Sequence, residues 1–379
     1  MSALLADNLV AGQRAEIALA AAAFDAVRGE RPAQIALLGT GTVGSAVLAR
    51  LQRWQGTAFG RRLQLVHVAN SRRAVSDKRG VALRTPTPDI GIAASLDQVA
   101  NAFRSRGARI VIDATASDEV ASRHAPWLAS GIHVVTACKL GQGTELARWR
   151  EIRNACMRGD ARYGDSATVG AGLPLLRSLR ELQAGGDRIH AIAGVLSGSL
   201  AWLCDRYDGM RPFSGFVREA RDAGYTEPDP REDLSGEDVR RKLLILARSA
   251  GVELESGSVE VESLVPSQLA SLPRDEVDEA LDTLDAPLRE RYAAAYRDGK
   301  KLRYVARLGE DGRARVGLEA LDASEVLLGG SGSDNRVAIW SDRYRRQPLL
   351  IQGPGAGAAI TASALLDDVL AIQRGGVEK

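Results

Sequence analysis

The chain has 379 residues, 45% of them hydrophobic, with 50 basic and 48 acidic side chains and a net charge of +2. That length suits two or three domains with a sizeable core, and the charge balance argues against nucleic acid or an anionic membrane face as a partner. The three cysteines (Cys138, Cys156 and Cys204) are too scattered for a disulfide framework or a structural zinc site. No stretch approaches the roughly 20 apolar residues that span a bilayer, and a cytoplasmic setting is expected. The alanine-rich start is interrupted by Asp7, Arg14, Glu16 and Asp25, and reads as a helical extension over residues 1–30.

The first clear strand is the continuous apolar run "QIALL" (34–38), suited to burial on both sheet faces. Directly after it comes "GTGTVGSAVLARLQRW", in which Gly39, Gly41 and Gly44 form G-x-G-x-x-G at the opening of a helix. This context predicts a dinucleotide site. The first glycine permits a tight turn, the second lets backbone approach a pyrophosphate, and the third packs helix on strand. The amides at Thr42 and Val43 would then face the phosphates at the helix N-terminus.

Further strands are expected at "LQLVHVAN" (63–70), "ARIVIDAT" (108–115) and "GIHVVTA" (131–137). Strands alternating with helices predict a Rossmann-type doubly wound parallel sheet over 31–165. After the second strand the sequence is "VANSRRAV", with no carboxylate to meet the ribose hydroxyls of NAD. Arg72 and Arg73 would suit the extra phosphate of NADP, or else are exposed loop arginines. NADP is therefore favoured, with NAD left open. Thr115, and Ser117 beside it, would face the nicotinamide half or cap a helix.

From residue 166 the pattern changes. "VGAGLPLL" (169–176) reads as a glycine loop entering a helix, and "DRIHAIAGVLSGS" (187–199) as a strand ending in a turn. Residues 266–299 read as one or two charged helices. "KLRYVARL" (301–308), "ARVGLEAL" (314–321), "NRVAIWS" (335–341) and "QPLLIQG" (347–353) then predict a mostly antiparallel sheet. The predicted fold is thus α/β: a Rossmann-type parallel sheet, then an α+β domain with a mostly antiparallel sheet over 166–353, to which the resemblance described below adds the catalytic and dimerisation role. A glycine loop and helix over 354–379 are expected to return to the first domain.

Lysine is rare here: six residues against 44 arginines. Arginine effectively never deprotonates, so a lone lysine is worth weighing as a proton donor. Lys139 follows the fourth strand at the edge where ligands bind. Lys242 lies in "GYTEPDPREDLSGEDVRRK" (224–242), four residues after Asp238 and on the same helix face. The plain alternative is a surface pair, with Ser235 and Asp238 forming an S-x-x-D capping box.

This 224–242 stretch resembles the signature of homoserine dehydrogenases, and "VVTACK", "VGAGLPLL", "GVLSGSLAW" and "GPGAGAAITASALL" fall in that family's order. The similarity covers about residues 33–375 and is closest to the dehydrogenase half of bifunctional aspartokinase–homoserine dehydrogenases. It implies NAD(P)-dependent interconversion of L-homoserine and L-aspartate 4-semialdehyde, in the biosynthesis of threonine, methionine and isoleucine. By the same resemblance Lys242 is the acid/base at the substrate oxygen and Lys139 the lysine ending the fourth strand. Asp238 and Asp233 are carboxylates around the reacting group, Glu227 binds substrate, and Gly357 touches the cofactor.

A homodimer through the second domain's sheet is also implied. Some members bind a monovalent cation through backbone carbonyls that match Val169, Ala171 and Leu173, plus an acidic side chain. Here that acidic position is Ser166, next to Asp165, and the family's asparagine before the strand-end lysine is Cys138. With no threonine-sensing or aspartokinase segment read in the chain, feedback through its own sequence is not expected. Two other readings stand beside this one. One is another NADP-dependent semialdehyde oxidoreductase with Cys138 as nucleophile. The other is a non-catalytic NADP-binding regulatory subunit.

Overall fold

A computed structural model describes residues 32–83, 91–104, 106–330 and 332–375. The helical extension read at 1–30 lies outside these residues.

The four expected strands of the first half form adjacent parallel partners. They are β1 (Ala33–Leu38), β2 (Leu63–Ala69), β5 (Arg109–Asp113) and β6 (His133–Thr136). With β3 (Arg73–Ser76), β4 (Ile92–Ala93) and β7 (Tyr163–Gly164) they make a seven-stranded sheet of order β4-β3-β2-β1-β5-β6-β7. Strands β3 and β4 run antiparallel at one edge. Neither was foreseen, because two to four residues are too few to show a period.

The apolar runs are continuous because both faces of this sheet are covered. Ile35, Leu37, Ile110 and Ile112 pack with Val47 and Leu51 of helix α1 (Thr42–Trp54). Ala36, Leu38, Val111 and Val134 pack on the other face with Trp127, Leu128 and Ile152, the last from α2 (Leu146–Gly159). After α2 come α3 (Leu175–Ala184), β8 (Ile189–Val195), α4 (Gly198–Arg206), α5 (Glu237–Ser249) and β9 (Val259–Val261). Within 266–299 the structure has a short helix at Ser267–Ala270 and α6 (Asp285–Arg297), joined by 3-10 turns.

The second sheet completes itself with β10 (Lys301–Leu308), β11 (Ala314–Leu321), β12 (Asp334–Ser341) and β13 (Leu349–Pro354). Its order is β13-β12-β8-β10-β11-β9, antiparallel throughout except for β9 beside β11. Helix α5 packs across β9, β10 and β11 and against α3, burying Val239 and Leu243 through Ala247. These five consecutive buried residues mean that α5 is enclosed on more than one face. Helix α7 (Ala358–Gln373) returns to α1, and its Leu365, Leu366 and Val369 complete that core. No described helix is long and apolar enough to cross a membrane.

The start of β6 carries a pH-sensitive stability contribution. Burial, helped by the charges of Arg162 and Arg109, pulls His133 down to about 4. Its Nδ1 accepts the Arg162 backbone N–H at 3.0 Å, which a protonated ring cannot do. A histidine depressed in the fold stabilises above its unfolded pKa of about 6.5, and that stability is lost as pH falls towards 4. The expected result is that His133→Gln flattens the acid limb of stability by about 2 kcal/mol between pH 6.5 and 4. Urea unfolding across that range measures it, and parallel wild-type and variant curves would refute it.

Candidate active site

The three glycines after β1 have three distinct reasons to be glycine. Gly39 has φ +92°, and a Cβ there would lie 2.7 Å from the Ala114 carbonyl oxygen. A Cβ on Gly44 would lie 1.9 Å from the Gly39 carbonyl oxygen, so helix and strand meet at van der Waals limits. A Cβ on Gly41 meets nothing within 4 Å, so this backbone borders open space. Gly41 is the N-cap of α1, no side chain caps the helix, and its first turn holds no acid. The amides of Thr42, Val43 and Gly44 have no hydrogen-bond partner among the described residues. The result is an open, donor-lined helix N-terminus suited to an anionic group.

At the end of β2 the two arginines separate. Asn70 Oδ1 accepts the backbone N–H groups of Arg72 and Arg73 at 2.7 and 2.8 Å, shaping the turn. Arg73 opens β3 and donates its guanidinium to the Gly91 carbonyl at 3.0 Å. Arg72 is exposed, and its guanidinium pairs with no described residue.

The loops after β5 and β6 are tied by a buried network that the sequence did not reveal. Asp113 Oδ1 accepts the backbone N–H and hydroxyl of Thr115 at 2.9 and 2.6 Å. Its Oδ2 takes His124 Nε2 at 3.0 Å and the Thr136 hydroxyl at 3.2 Å. His124 Nδ1 meets the Tyr163 hydroxyl at 2.9 Å, and Thr136 Oγ1 accepts the Cys138 N–H at 2.8 Å. Thr115 is thus oriented by Asp113, and Ser117 is the N-cap of the short helix at Asp118–Ser122. Cys138 is 4% exposed, and burial, with the charge of Asp113 adding to it, pushes its thiol up to about 11. A thiol so placed is a poor nucleophile at neutral pH, which removes the support for the cysteine-based alternative.

Lys139 begins a 3-10 turn, Lys139–Gly141, at the same sheet edge. Its Nζ lies 3.3 Å from Asp238 Oδ1. Asp238 Oδ2 lies 2.8 Å from Lys242 Nζ, which also donates to the Leu196 carbonyl at the end of β8, at 2.7 Å. One carboxylate therefore holds two lysines, one from the parallel sheet and one from α5. Lys242 is 9% exposed, so the surface-pair reading does not hold. Partial burial works to raise the Asp238 pKa, but the Lys242 and then the Lys139 charge outweigh it and hold the carboxyl well below the usual range.

The foreseen capping box is not formed. Gly236, at φ +77°, is the N-cap of α5. The Ser235 hydroxyl instead donates to the Glu232 carbonyl at 2.9 Å and accepts from Glu237 N–H at 3.3 Å. A Cβ on Gly236 would sit 2.0 Å from the Tyr304 hydroxyl, so only glycine fits where the helix begins. Asp238 is left free to bind lysines.

Asp233 accepts the Ser199 hydroxyl at 2.6 Å and the Glu227 backbone N–H at 2.8 Å. Burial raises its pKa, with those two hydrogen bonds opposing. It fixes the loop bearing Glu227, whose side chain is exposed.

The 169–173 loop is tight. Ala171 has φ +51°, Val169 is fully buried, and neither carbonyl accepts a hydrogen bond from a described residue. A buried orphan carbonyl calls for an ion or water. The Leu173 carbonyl is already taken by Leu175 N–H at 2.8 Å. Ser166 gives its N–H and hydroxyl to Asp368 of α7 at 3.0 and 2.7 Å, while Asp165 pairs with Arg180 at 2.6 Å. Gly357 caps α7 at φ +121°, and a Cβ there would meet only Ile360, at 4.0 Å.

Comparison with known proteins agrees with this arrangement. A family model described as "Homoserine dehydrogenase" matches residues 174–370, and one described as "Homoserine dehydrogenase, NAD binding domain" matches residues 39–163. The chain is 38% identical over 350 residues to the bifunctional aspartokinase/homoserine dehydrogenase 2 of Escherichia coli (strain K12), covering 90% of this chain and 43% of that protein. It thus spans less than half the length of that relative. It is 34% identical over 366 residues to a homoserine dehydrogenase of Emericella nidulans, covering 90% of this chain and 98% of the other. A solved hyperthermophilic archaeal homoserine dehydrogenase in complex with NADPH shares the fold. Its TM-score is 0.67 at 20% identity, covering 90% of this chain and 97% of that one.

Proposed function

The chain belongs to the homoserine dehydrogenase family, and from that premise we propose that it interconverts L-homoserine and L-aspartate 4-semialdehyde with a nicotinamide dinucleotide. The observation that carries the reading is the Asp238 carboxylate shared by Lys139 and Lys242. An ammonium has three donors, and Lys242 commits two of them, to Leu196 and Asp238. The third donates to the aldehyde oxygen and delivers its proton there as the C–O double bond becomes an alcohol. The bound dinucleotide supplies the hydride to the aldehyde carbon. In the reverse direction Lys242 takes the hydroxyl proton. Lys139 supports the same oxygen electrostatically from the sheet edge. Glu227 receives the substrate's ammonium end, and Asp233 holds that loop in place.

The site fits the cofactor in its glycines. The open backbone at Gly41 and the unpartnered amides of Thr42 and Val43 receive the pyrophosphate. Thr115 adjoins the glycine turn, its Cγ2 lying 3.0 Å from where a Cβ on Gly39 would sit, and Gly357 is proposed to touch the cofactor as well. We assign NADP as the preferred cofactor because the Arg72 guanidinium has no described partner, whereas Arg73 is engaged. Arg72→Ala is expected to raise KM for NADPH about 10-fold, as befits losing a charge-assisted phosphate contact, and to leave KM for NADH within twofold. Equal effects on both cofactors would overturn the assignment.

A monovalent cation at the carbonyls of Val169 and Ala171 is part of the same reading, with Asp368, which binds the Ser166 hydroxyl, as the acid offered at that position. A homodimer through the second sheet is proposed too, where the edge strand β13 presents the exposed Leu350. The balanced charge supports a small-molecule substrate without nucleic acid, and the free thiols support a cytoplasmic setting. The deciding assay follows NADPH and NADH oxidation with aspartate semialdehyde in parallel. No oxidation of either would sink the proposed reaction.

A further inference from the structure

Arg248 lies on α5, about three turns beyond Asp238, and is only 2% exposed. No carboxylate of the described residues pairs with it; its guanidinium is satisfied by backbone alone. Nη1 donates to the Gln142 carbonyl at 2.5 Å, and Nη2 to the Thr144 and Leu254 carbonyls at 2.7 and 2.8 Å. Nε donates to Leu254 at 3.2 Å. Burial lowers its pKa, the charges of Glu255 and Glu145 oppose that without touching it, and the direct contacts that offset the cost of desolvation are all backbone carbonyls. Nothing in the proton chemistry above uses this residue.

What Arg248 grips is the segment just after the Lys139 turn. That turn closes on itself through Gly143 N–H to the Lys139 carbonyl at 2.7 Å. A Cβ on Gly143 would lie 3.0 Å from Arg241 of α5. On its other side the turn rests on the buried network, since a Cβ on Gly141 would lie 2.5 Å from the Tyr163 hydroxyl and 3.1 Å from His124 Nδ1. Lys139 is therefore held between the parallel sheet and the helix that carries Asp238 and Lys242.

We propose that Arg248 is a positioning residue that locks the Lys139 turn to α5 and so fixes the spacing of the two lysine ammonium groups around the reacting carbonyl. The planar fork of arginine meets carbonyls in diverging directions, which a single ammonium cannot do. The role in turnover rests on the reaction proposed above; the positioning of Lys139 does not.

The test uses Arg248→Met and Arg248→Lys with two readouts. In the first, reductive methylation followed by mass spectrometry gives the labelling rate of each of the six native lysines in the absence of substrate and cofactor. Lys139 is expected to label several-fold faster in Arg248→Met, with Lys300 and Lys301 unchanged. Fast labelling of the buried Lys242 would report unfolding, and Arg248→Lys then takes over this arm. In the second, kcat is expected to fall 10- to 100-fold with cofactor KM within twofold. An unchanged Lys139 rate in a folded variant, or an undiminished kcat, overturns the proposal. A wild-type chain inactive on aspartate semialdehyde would count against the reaction alone, and the labelling arm would still decide the role of Arg248.

Discussion

Replacing Lys242 with alanine is expected to lower turnover about 10²- to 10⁴-fold, the range for loss of a positioned general acid, while cofactor affinity stays near the wild-type value. The proposed cofactor cradle lies at the edge of the parallel sheet, whereas Lys242 is carried on α5. Lys242→Arg is expected to fail almost as badly. Its guanidinium keeps the charge but does not cycle a proton at neutral pH, and it is too large for the nearly buried position against Leu196. Stopped-flow turnover alongside fluorescence titration of NADPH separates the two effects. Activity within tenfold of wild type in either variant would return Lys242 to a structural role.

The second large effect is expected at Asp238. Asp238→Asn keeps shape but removes the charge that both lysines share, leaving two ammonium groups facing each other without a mediator. Displacing a reacting group by about 1 Å can cost on the order of 10²-fold, and a loss of that size in kcat is expected here. Asp238 is itself about half exposed, so its contribution to stability is screened, and the melting temperature should move by only a few degrees. A variant that loses stability but keeps kcat would show that the carboxylate serves the fold and not the reaction.

The sequence carried much of this architecture because its signals were of the long and repetitive kind. The continuous apolar strands betrayed a sheet buried on both faces. β10 and β11 appeared at their observed bounds because eight residues suffice for an alternating pattern to declare itself. β3, β4, β7 and β9 span only two to four residues and offered no such pattern. Lys139, Asp238 and Lys242 were singled out by their scarcity, their sheet edge and their spacing.

Their shared contact, however, depends on two elements about a hundred residues apart meeting in space, which spacing along the chain does not encode. The capping box failed for a similar reason. Ser235 has the right local pattern, but Tyr304 on a distant strand leaves room only for glycine at position 236 and shifts the helix start. The Asp113–His124–Tyr163 network was invisible because each member, taken alone, looks like an ordinary strand or helix residue.

The deep seating of α5 also bears on selectivity. Lys242 and Asp238 ride on a helix whose Leu243 through Ala247 are buried, whereas Glu227 stands exposed on a loop fastened through Asp233. In the proposed reaction the carbonyl end of the substrate would meet side chains carried on a buried helix, and the amino-acid end an exposed loop with more latitude to adjust. An aldehyde that lacks the amino-acid end should therefore be penalised mainly in KM, because once it docks it meets the same stationary lysine. An aldehyde with extra bulk beside the carbonyl has no such latitude, and its penalty should fall on kcat.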